Sequence, residues 1–354
     1  MEKNRNYGID LLRIVSMYMV VILHVLGRGG IMDYTEPFGV AYSLVWMLEI
    51  ACYCAVNCYA LISGYVGMGA DYKISRIVKL WGRVFYYSVG ITIVFYLYNK
   101  ELVTTNDWLN AFFPVMRKHY WFFTAYFLLY LCVPVLNHIL NTMPQKQLKN
   151  CLLSVLLFVS VLQTLFTKDV FQTNNGFSFL WLVILYIIGG YIKKYGLLQQ
   201  KSTKWFVMVF LISTAILWIS EYAIEYTMFM RCGEFRPYNI LLKYISPFVL
   251  INAIALICIF SRMKVNKICS KIIRVIAPLS FSVYLIHVHL LVWNHIMFHR
   301  FQKYLTYGPM KLIAMVLATA LFIFVACILI DIIRCLIVKL GMKMIKAINV
   351  GGKQ

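Results

Sequence analysis

Long apolar runs separated by short polar stretches are the feature that most limits what this chain can form. Of its 354 residues, 62% are apolar and only 13% are charged, about half the charged fraction of a soluble domain. Most of the surface must therefore face lipid. Ten runs are long enough to cross about 30 Å of hydrocarbon. We expect an all-α polytopic membrane helical bundle of about ten transmembrane helices, near residues 9–27, 39–66, 78–98, 119–140, 151–167, 177–194, 205–227, 240–261, 276–297 and 311–340.

The distribution of charge predicts the orientation of this bundle. The chain has 34 Lys and Arg residues against 13 Asp and Glu. An even number of spans puts both termini on one side, and most basic residues lie in loops on that side, so both termini are predicted to be cytoplasmic. No hydrophilic segment is long enough to form a nucleic-acid-binding module. We therefore expect one transmembrane domain over residues 1–348, with a short cytoplasmic tail at 349–354 and no nucleic-acid partner.

The first run contains two ionisable residues, Arg13 and His24, that share one helix face. Eleven residues separate them, which corresponds to an axial rise of roughly 16 Å. An acyl-coenzyme A has phosphates at one end and a thioester at the end of a thin arm of comparable length. Arginine binds phosphates with several donors, and imidazole can take a proton from a hydroxyl group. An equally simple interpretation is an Arg13–Asp10 ion pair at the interface and a hydrogen-bonded core histidine.

Arg13 and His24, with ten residues between them, resemble a signature of the acyltransferase-3 family of integral membrane O-acyltransferases. Four further segments resemble family motifs in the expected order: Leu61 to Tyr65, Lys73 with Arg76 and Lys79, Tyr120 to Phe122, and Ser280 to His287. Tyr59-Ala60 departs from the usual aromatic pair, and Lys79 stands in place of a second Arg. The resemblance implies transfer of an acyl group, commonly from acetyl-CoA, to a carbohydrate hydroxyl on a surface or secreted glycan.

The resemblance suggests roles for these residues, and each has a structural alternative. Arg76 and Lys79 would bind the donor phosphates, or they form an ordinary positive-inside cluster. Ser63, followed by Gly64 and Tyr65, would line the donor channel, or mark a close approach of two helices.

Ser280, Tyr284 and His287 fall on one face of the ninth run, near substrate. His287 would orient His24, bind the thioester carbonyl, or form an interhelical clasp. Asp33 and Glu36 would bind the sugar, and one of them could return to orient His24.

The resulting hypothesis is a membrane O-acetyltransferase with catalytic His24, Arg13 and His287. The donor is acetyl-CoA or another acyl-CoA, and the acceptor is a polysaccharide or its lipid-linked precursor. We expect no metal and no other cofactor, and a multi-pass location in a bacterial plasma membrane. The alternative is a transporter or flippase for a glycan or lipid without bond chemistry, since buried Arg and His also form relays in transporters.

Overall fold

The computed structural model describes residues 5–233, 235 and 239–351, with side chains through 341. Helices are the only regular secondary structure in these ranges, which confirms the predicted all-α membrane bundle. Their bounds are α1 Tyr7–Leu26, α2 Ile31–Tyr34, α3 Val40–Tyr53, α4 Ala55–Gly67, α5 Ile74–Tyr98, α6 Thr105–Phe112, α7 Trp121–Thr142, α8 Gln145–Leu156, α9 Gln163–Phe166, α10 Phe179–Tyr195, α11 Thr203–Cys232, α12 Pro247–Ser261, α13 Lys267–Ile276, α14 Ser280–His287, α15 Leu290–Val292 and α16 Pro309–Gly351.

Local sequence explains several helix boundaries. The side chains of Asn6, Ser178 and Ser202 each accept a hydrogen bond from a backbone N–H in the first turn of α1, α10 and α11 respectively. Pro278 lies between α13 and α14, where a proline without an N–H interrupts the helical bonding. The ninth predicted span is displaced toward the N-terminus: α13 and α14 together cover Lys267–His287, and His287 is the last residue of α14.

Eight helices or joined helices in the described part of the chain are long and apolar enough to cross a membrane. The two other predicted spans, 177–194 and 240–261, correspond to α10 and α12, which have only 17 and 15 residues. At 1.5 Å per residue these helices are roughly 26 and 22 Å long, less than the hydrocarbon thickness. Side chains such as Leu97 on α5 and Phe322 on α16 are more than 70% exposed and provide apolar outer surface.

The first helix lies at the centre of the bundle. It contacts α3, α4, α12, α13, α14 and α16. Leu12, Val21 and Val25 are fully buried, and 13 of its 20 residues are buried in all. A helix that is apolar around most of its circumference is expected in such a position. Both ends of the Arg13–His24 face are therefore enclosed by protein instead of lipid.

Two glycines let α4 and α10 pack backbone against backbone. A Cβ at Gly64 would lie 1.9 Å from the carbonyl oxygen of Tyr186, and one at Gly189 would lie 2.1 Å from that of Leu61. No larger residue fits either position without moving a helix. The interpretation of Ser63-Gly64 as a site where two helices approach closely therefore holds for Gly64.

The loop between α9 and α10 is organised by Asp169. Its carboxylate accepts hydrogen bonds from the backbone N–H groups of Thr173 and Asn174, at 2.7 and 2.6 Å. Burial alone would raise the pKa of Asp169, but these bonds and those from the side chains of Thr173 and Gln163 lower the pKa overall. Ionised Asp169 therefore holds this turn in place.

Candidate active site

An inner cavity of about 290 Å³ lies near the N-terminal end of α1. Arg13, Ser63 and Arg76 line it, so three helices bring together three of the predicted donor-binding residues. Tyr126 and Tyr130 of α7 form part of the opposite wall. Two guanidinium groups and a hydroxyl facing one cavity are suited to binding a phosphorylated group.

Arg13 is also ion-paired. Its Nη1 lies 3.0 Å from Oδ1 of Asp10, and Nε of Arg5 lies 2.5 Å from Oδ2 of the same carboxylate. The Arg13 side chain is 27% exposed. The ion pair expected from the simpler interpretation is thus present, and it orients Arg13 without removing it from the cavity wall.

Two other predicted donor contacts lie elsewhere. Lys79 is exposed on α5 and lines none of the cavities described here. The ring of Tyr65 lies 5.0 Å from Nζ of Lys193 and is likewise outside the inner cavity. Ile77 and Leu80 line this cavity with Arg76, and Lys79 lies about 60° from Arg76 on the side of α5 away from those two residues.

A central cavity of about 310 Å³ surrounds the other end of the Arg13–His24 face. His24 lines it, with Arg28 one turn further along the chain and Tyr284 from α14. The other walls are mainly aromatic: Tyr53, Tyr59, Trp121, Phe122, Phe177, Tyr244, Phe281 and Trp293. Arg28 is fixed by bonds from Nε to the Trp293 carbonyl and from Nη2 to the Asn294 side chain, at 3.1 and 2.6 Å. The cavity is apolar overall, with a few polar groups aimed into it.

His24 and His287 form a hydrogen-bonded pair. Nδ1 of His24 lies 2.9 Å from Nε2 of His287, and Nδ1 of His287 lies 2.5 Å from the carbonyl oxygen of Val283. A carbonyl only accepts, so Nδ1–H of His287 donates to it and Nε2 of His287 is the acceptor for Nδ1–H of His24. Neutral His24 then carries its lone pair on Nε2. The pair fixes the tautomer that a general base at this position needs.

The α14 face predicted from spacing is divided between two roles. Tyr284 reaches the central cavity, and its hydroxyl accepts a 3.4 Å hydrogen bond from the backbone N–H of Phe122. Ser280 is fully buried behind the wall, where its Oγ lies 3.1 Å from the hydroxyl of Tyr59. His287 is 1% exposed and lies behind His24. The bond from α14 to His24 on α1 fits both the orienting role and the interhelical clasp considered for His287, whereas its position behind His24 does not fit direct contact with the thioester.

An outer cavity of about 750 Å³ adjoins the central one beyond the C-terminal end of α1. Gly27, Glu49, Tyr53 and Phe177 line both, so the two cavities meet at these residues. Asp33 lines the outer cavity and lies 3.6 Å from Nε2 of His299, while exposed Glu36 lines none of the cavities. Neither acidic residue orients His24, because Nδ1 of that ring is bonded to His287 instead.

Residues 6–333 match the family model described as an acyltransferase domain, that of the acyltransferase-3 family. The chain belongs to this family. The match covers nearly the whole chain and confirms the family expected from the sequence motifs. No curated protein and no solved structure matches the chain. Membership identifies a membrane acyltransferase and disfavours the transporter alternative.

An aromatic layer separates the inner and central cavities of this acyltransferase. We use this name for Tyr59, Phe122 and Tyr126. The Phe122 ring stacks on Tyr126 with centroids 6.1 Å apart and meets Tyr59 edge to face at the same centroid distance. Tyr59 and Ser63 are one turn apart on α4, as are Phe122 and Tyr126 on α7, so the layer is about one helical turn, roughly 6 Å, thick. The two cavities share no lining residue.

Glu49 and Arg28 are cavity residues of the acyltransferase that sequence reasoning missed. Both are ionisable residues at the wall of the central cavity, and Glu49 lies in the middle of the predicted span 39–66. A carboxyl inside an apolar run is itself a signal, because burying it is costly. In the described part of the chain, no group of three His, Cys, Asp or Glu side chains is arranged to hold a metal ion.

Proposed function

We propose that this membrane acyltransferase moves an acyl group, most simply acetyl, from cytosolic acyl-CoA to a carbohydrate hydroxyl. The acceptor would be a surface or secreted polysaccharide, or its lipid-linked precursor, at a bacterial plasma membrane. The observation that carries the proposal is His24: its tautomer is fixed by His287, and its ring lines a cavity that adjoins a second cavity beyond the C-terminal end of α1. The same helix presents Arg13 to a separate inner cavity.

The inner cavity is the proposed site for the donor phosphates. Arg13 and Arg76 supply positive charge from two helices, and Ser63 adds a hydroxyl group. Asp10 neutralises part of the charge of Arg13, and Asp71 also lines the cavity, so Arg13 and Arg76 outnumber the one carboxylate in its wall. Phosphate oxygens accept several hydrogen bonds from a guanidinium group, so these residues favour a phosphorylated donor over an uncharged one.

The donor arm must cross the aromatic layer to bring its thioester to His24. The layer is thin compared with the roughly 16 Å rise between Arg13 and His24. Its three side chains are held by ring contacts and by the Tyr59–Ser280 hydrogen bond. We propose that rotation of these rings opens the passage when the donor binds.

The proposed chemistry is direct transfer. Nε2 of His24 takes the proton of the acceptor hydroxyl while that oxygen attacks the thioester carbonyl carbon. The carbon–sulfur bond then breaks, and the thiolate of coenzyme A receives the proton from His24. His287 accepts the Nδ1–H bond throughout and stabilises the imidazolium formed in between. The products are an ester and the free thiol, so protons and bonds balance.

Replacement of His24 tests the proposal. His24→Ala should lower acetyl-CoA-dependent esterification of the surface polysaccharide by about 10²- to 10⁴-fold, the usual contribution of a general base. The assay compares polysaccharide esters by mass spectrometry in cells with equal amounts of wild-type and variant protein. His138→Ala is the matched control, because His138 is exposed and lines no cavity described here. Ester formation at the wild-type rate in His24→Ala would eliminate the proposal.

A further inference from the structure

Glu49 occupies the junction between the central and outer cavities. It lies on α3, is only 8% exposed, and belongs to the walls of both cavities. His24 lines the central cavity on one side of this junction, and Asp33 lines the outer cavity on the other. A molecule passing from the outer cavity to His24 must therefore pass this carboxyl group.

Glu49 has no hydrogen-bond partner among the described residues. Its Oε2 atom is buried and unsatisfied. Other buried carboxylates in the described ranges have protein partners: Asp10 has two arginines, Asp331 has Arg334 and Tyr87, and Glu221 accepts from the N–H groups of Leu241 and Leu242. An unpaired carboxyl group is costly inside a protein. At the junction of two cavities, Oε2 of Glu49 is free to accept a hydrogen bond from a ligand.

Aromatic rings surround the same junction. Tyr53 stacks on Tyr244 with centroids 4.8 Å apart, and Phe177 lies 4.7 Å from both Tyr244 and Trp121. Trp46 continues this surface into the outer cavity. A sugar ring carries hydroxyl groups on its edge and weakly positive C–H groups on its faces, so it fits a carboxylate beside aromatic faces. A purely apolar ligand such as an acyl chain would leave Glu49 unsatisfied.

We propose that Glu49 is the acceptor-binding residue of this site. It accepts hydrogen bonds from sugar hydroxyls next to the one that reacts, and so places the reacting hydroxyl against Nε2 of His24. The acceptor enters through the outer cavity, at the end of the bundle opposite the inner cavity. This inference rests on the proposed acyl transfer to a carbohydrate and adds the residue and the entrance used by the acceptor.

The test distinguishes an effect on acceptor binding from an effect on donor binding. Full-length wild-type protein, Glu49→Gln, Glu49→Asp and Glu49→Ala are reconstituted in lipid nanodiscs. The acceptor probe is unacylated surface polysaccharide purified from cells lacking the gene. Thiol release is measured while polysaccharide and acetyl-CoA are varied in turn, and binding of radiolabelled acetyl-CoA is measured separately. Glu101→Gln is the matched control, because exposed Glu101 lines no cavity described here.

We expect Glu49→Gln to raise the KM for polysaccharide about tenfold or more, because an amide offers one weaker acceptor oxygen in place of two. Glu49→Asp, with the carboxylate retracted by one methylene, should give an intermediate value, and Glu49→Ala the highest. Donor binding and the KM for acetyl-CoA should be unchanged. Thermal stability should be equal or higher in Glu49→Gln, since a buried unpaired carboxyl group is removed.

Three outcomes would overturn the inference. One is an unchanged polysaccharide KM in Glu49→Gln and Glu49→Ala. Another is a parallel loss of acetyl-CoA binding, which would assign Glu49 to the donor. The third is a loss of stability that accounts for the whole effect. If wild-type protein is active and His24→Ala is inactive, these outcomes remove only the acceptor role; if wild-type protein forms no polysaccharide ester, both proposals fail.

Discussion

His287 offers the sharpest test of how the site works, because it touches His24 without lining any of the described cavities. His287→Ala removes the acceptor of the His24 Nδ1–H bond. In the neutral pair this bond is 2.9 Å long and fixes the tautomer. Once His24 has taken the acceptor's proton, the same bond is charge-assisted. Its loss then acts mainly on the transition state, so it should lower kcat and leave both KM values nearly unchanged.

The magnitude follows from the charge on the bond. A hydrogen bond to a charged group is worth about 1.5–3 kcal/mol, which corresponds to a fall in kcat of about 10- to 150-fold. His287→Gln restores an acceptor oxygen and should recover part of this loss. His24→Ala should be the more severe change, since it removes the base itself.

Steady-state kinetics of wild type and the three variants in nanodiscs, with polysaccharide and acetyl-CoA varied separately, provide the measurement. Thermal unfolding of each variant accounts for any loss of folded protein, and His138→Ala is again the control. The reasoning is refuted if His287→Ala keeps kcat within about threefold of wild type. It is refuted equally if only KM changes, or if Gln behaves no better than Ala at this position.

Three further predictions concern packing, donor binding and pH. Gly64→Ala should lower the free energy of unfolding by about 1–3 kcal/mol, because the added Cβ would collide with the α10 backbone. Gly82→Ala is the control and should not lower it, because the space around Gly82 is open. Thermal unfolding in detergent compares the two variants. Arg76→Ala should raise the KM for acetyl-CoA about tenfold or more, and Lys79→Ala should raise it much less, since Arg76 lines the inner cavity and Lys79 does not. Equal effects of the two variants would contradict the assignment of the donor phosphates to this cavity. The pKa of Asp169 is below its ordinary value of 3.8 in the folded protein, so ionised Asp169 adds stability at pH values above 3.8, and this stability is lost as pH falls through the folded-state pKa. Asp169→Asn should therefore be less stable at neutral pH and should lack this acid-dependent loss. Parallel stability–pH curves for the variant and the wild type would count against this prediction.

The length and composition of the apolar runs determined the fold class. Crossing the membrane requires about 20 apolar residues in a helix, and this requirement is visible in the chain without knowledge of its neighbours. The same runs gave less reliable boundaries. The ninth span lies further toward the N-terminus than predicted, in α13 and α14 on either side of Pro278. α10 and α12 proved shorter than the predicted spans because capping by Ser178 and the break before Pro247 limit them.

Relationships within one helix were equally accessible from sequence. The spacing of Arg13 and His24 sets their common face and their separation, since each residue adds a fixed rotation and rise. Both side chains do reach internal cavities. The same rule placed Ser280, Tyr284 and His287 on one face but could not say which of them reaches a cavity. Ser280 and His287 lie behind the wall because α4 and α1 pack against that face.

Only the tertiary structure decided which groups meet across helices. It paired His24 with His287, turned Lys79 and Tyr65 away from the inner cavity, and placed Glu49 unpaired at the junction of two cavities. The physical reason is that a sequence specifies the rotation of residues about their own helix axis, whereas the partner of each face depends on how all helices pack together. The sequence by itself therefore determined a membrane bundle with a charged residue and an imidazole on one helix face. Packing determined the tautomer of that imidazole, the aromatic layer between the cavities, and the carboxyl group that faces the outer entrance.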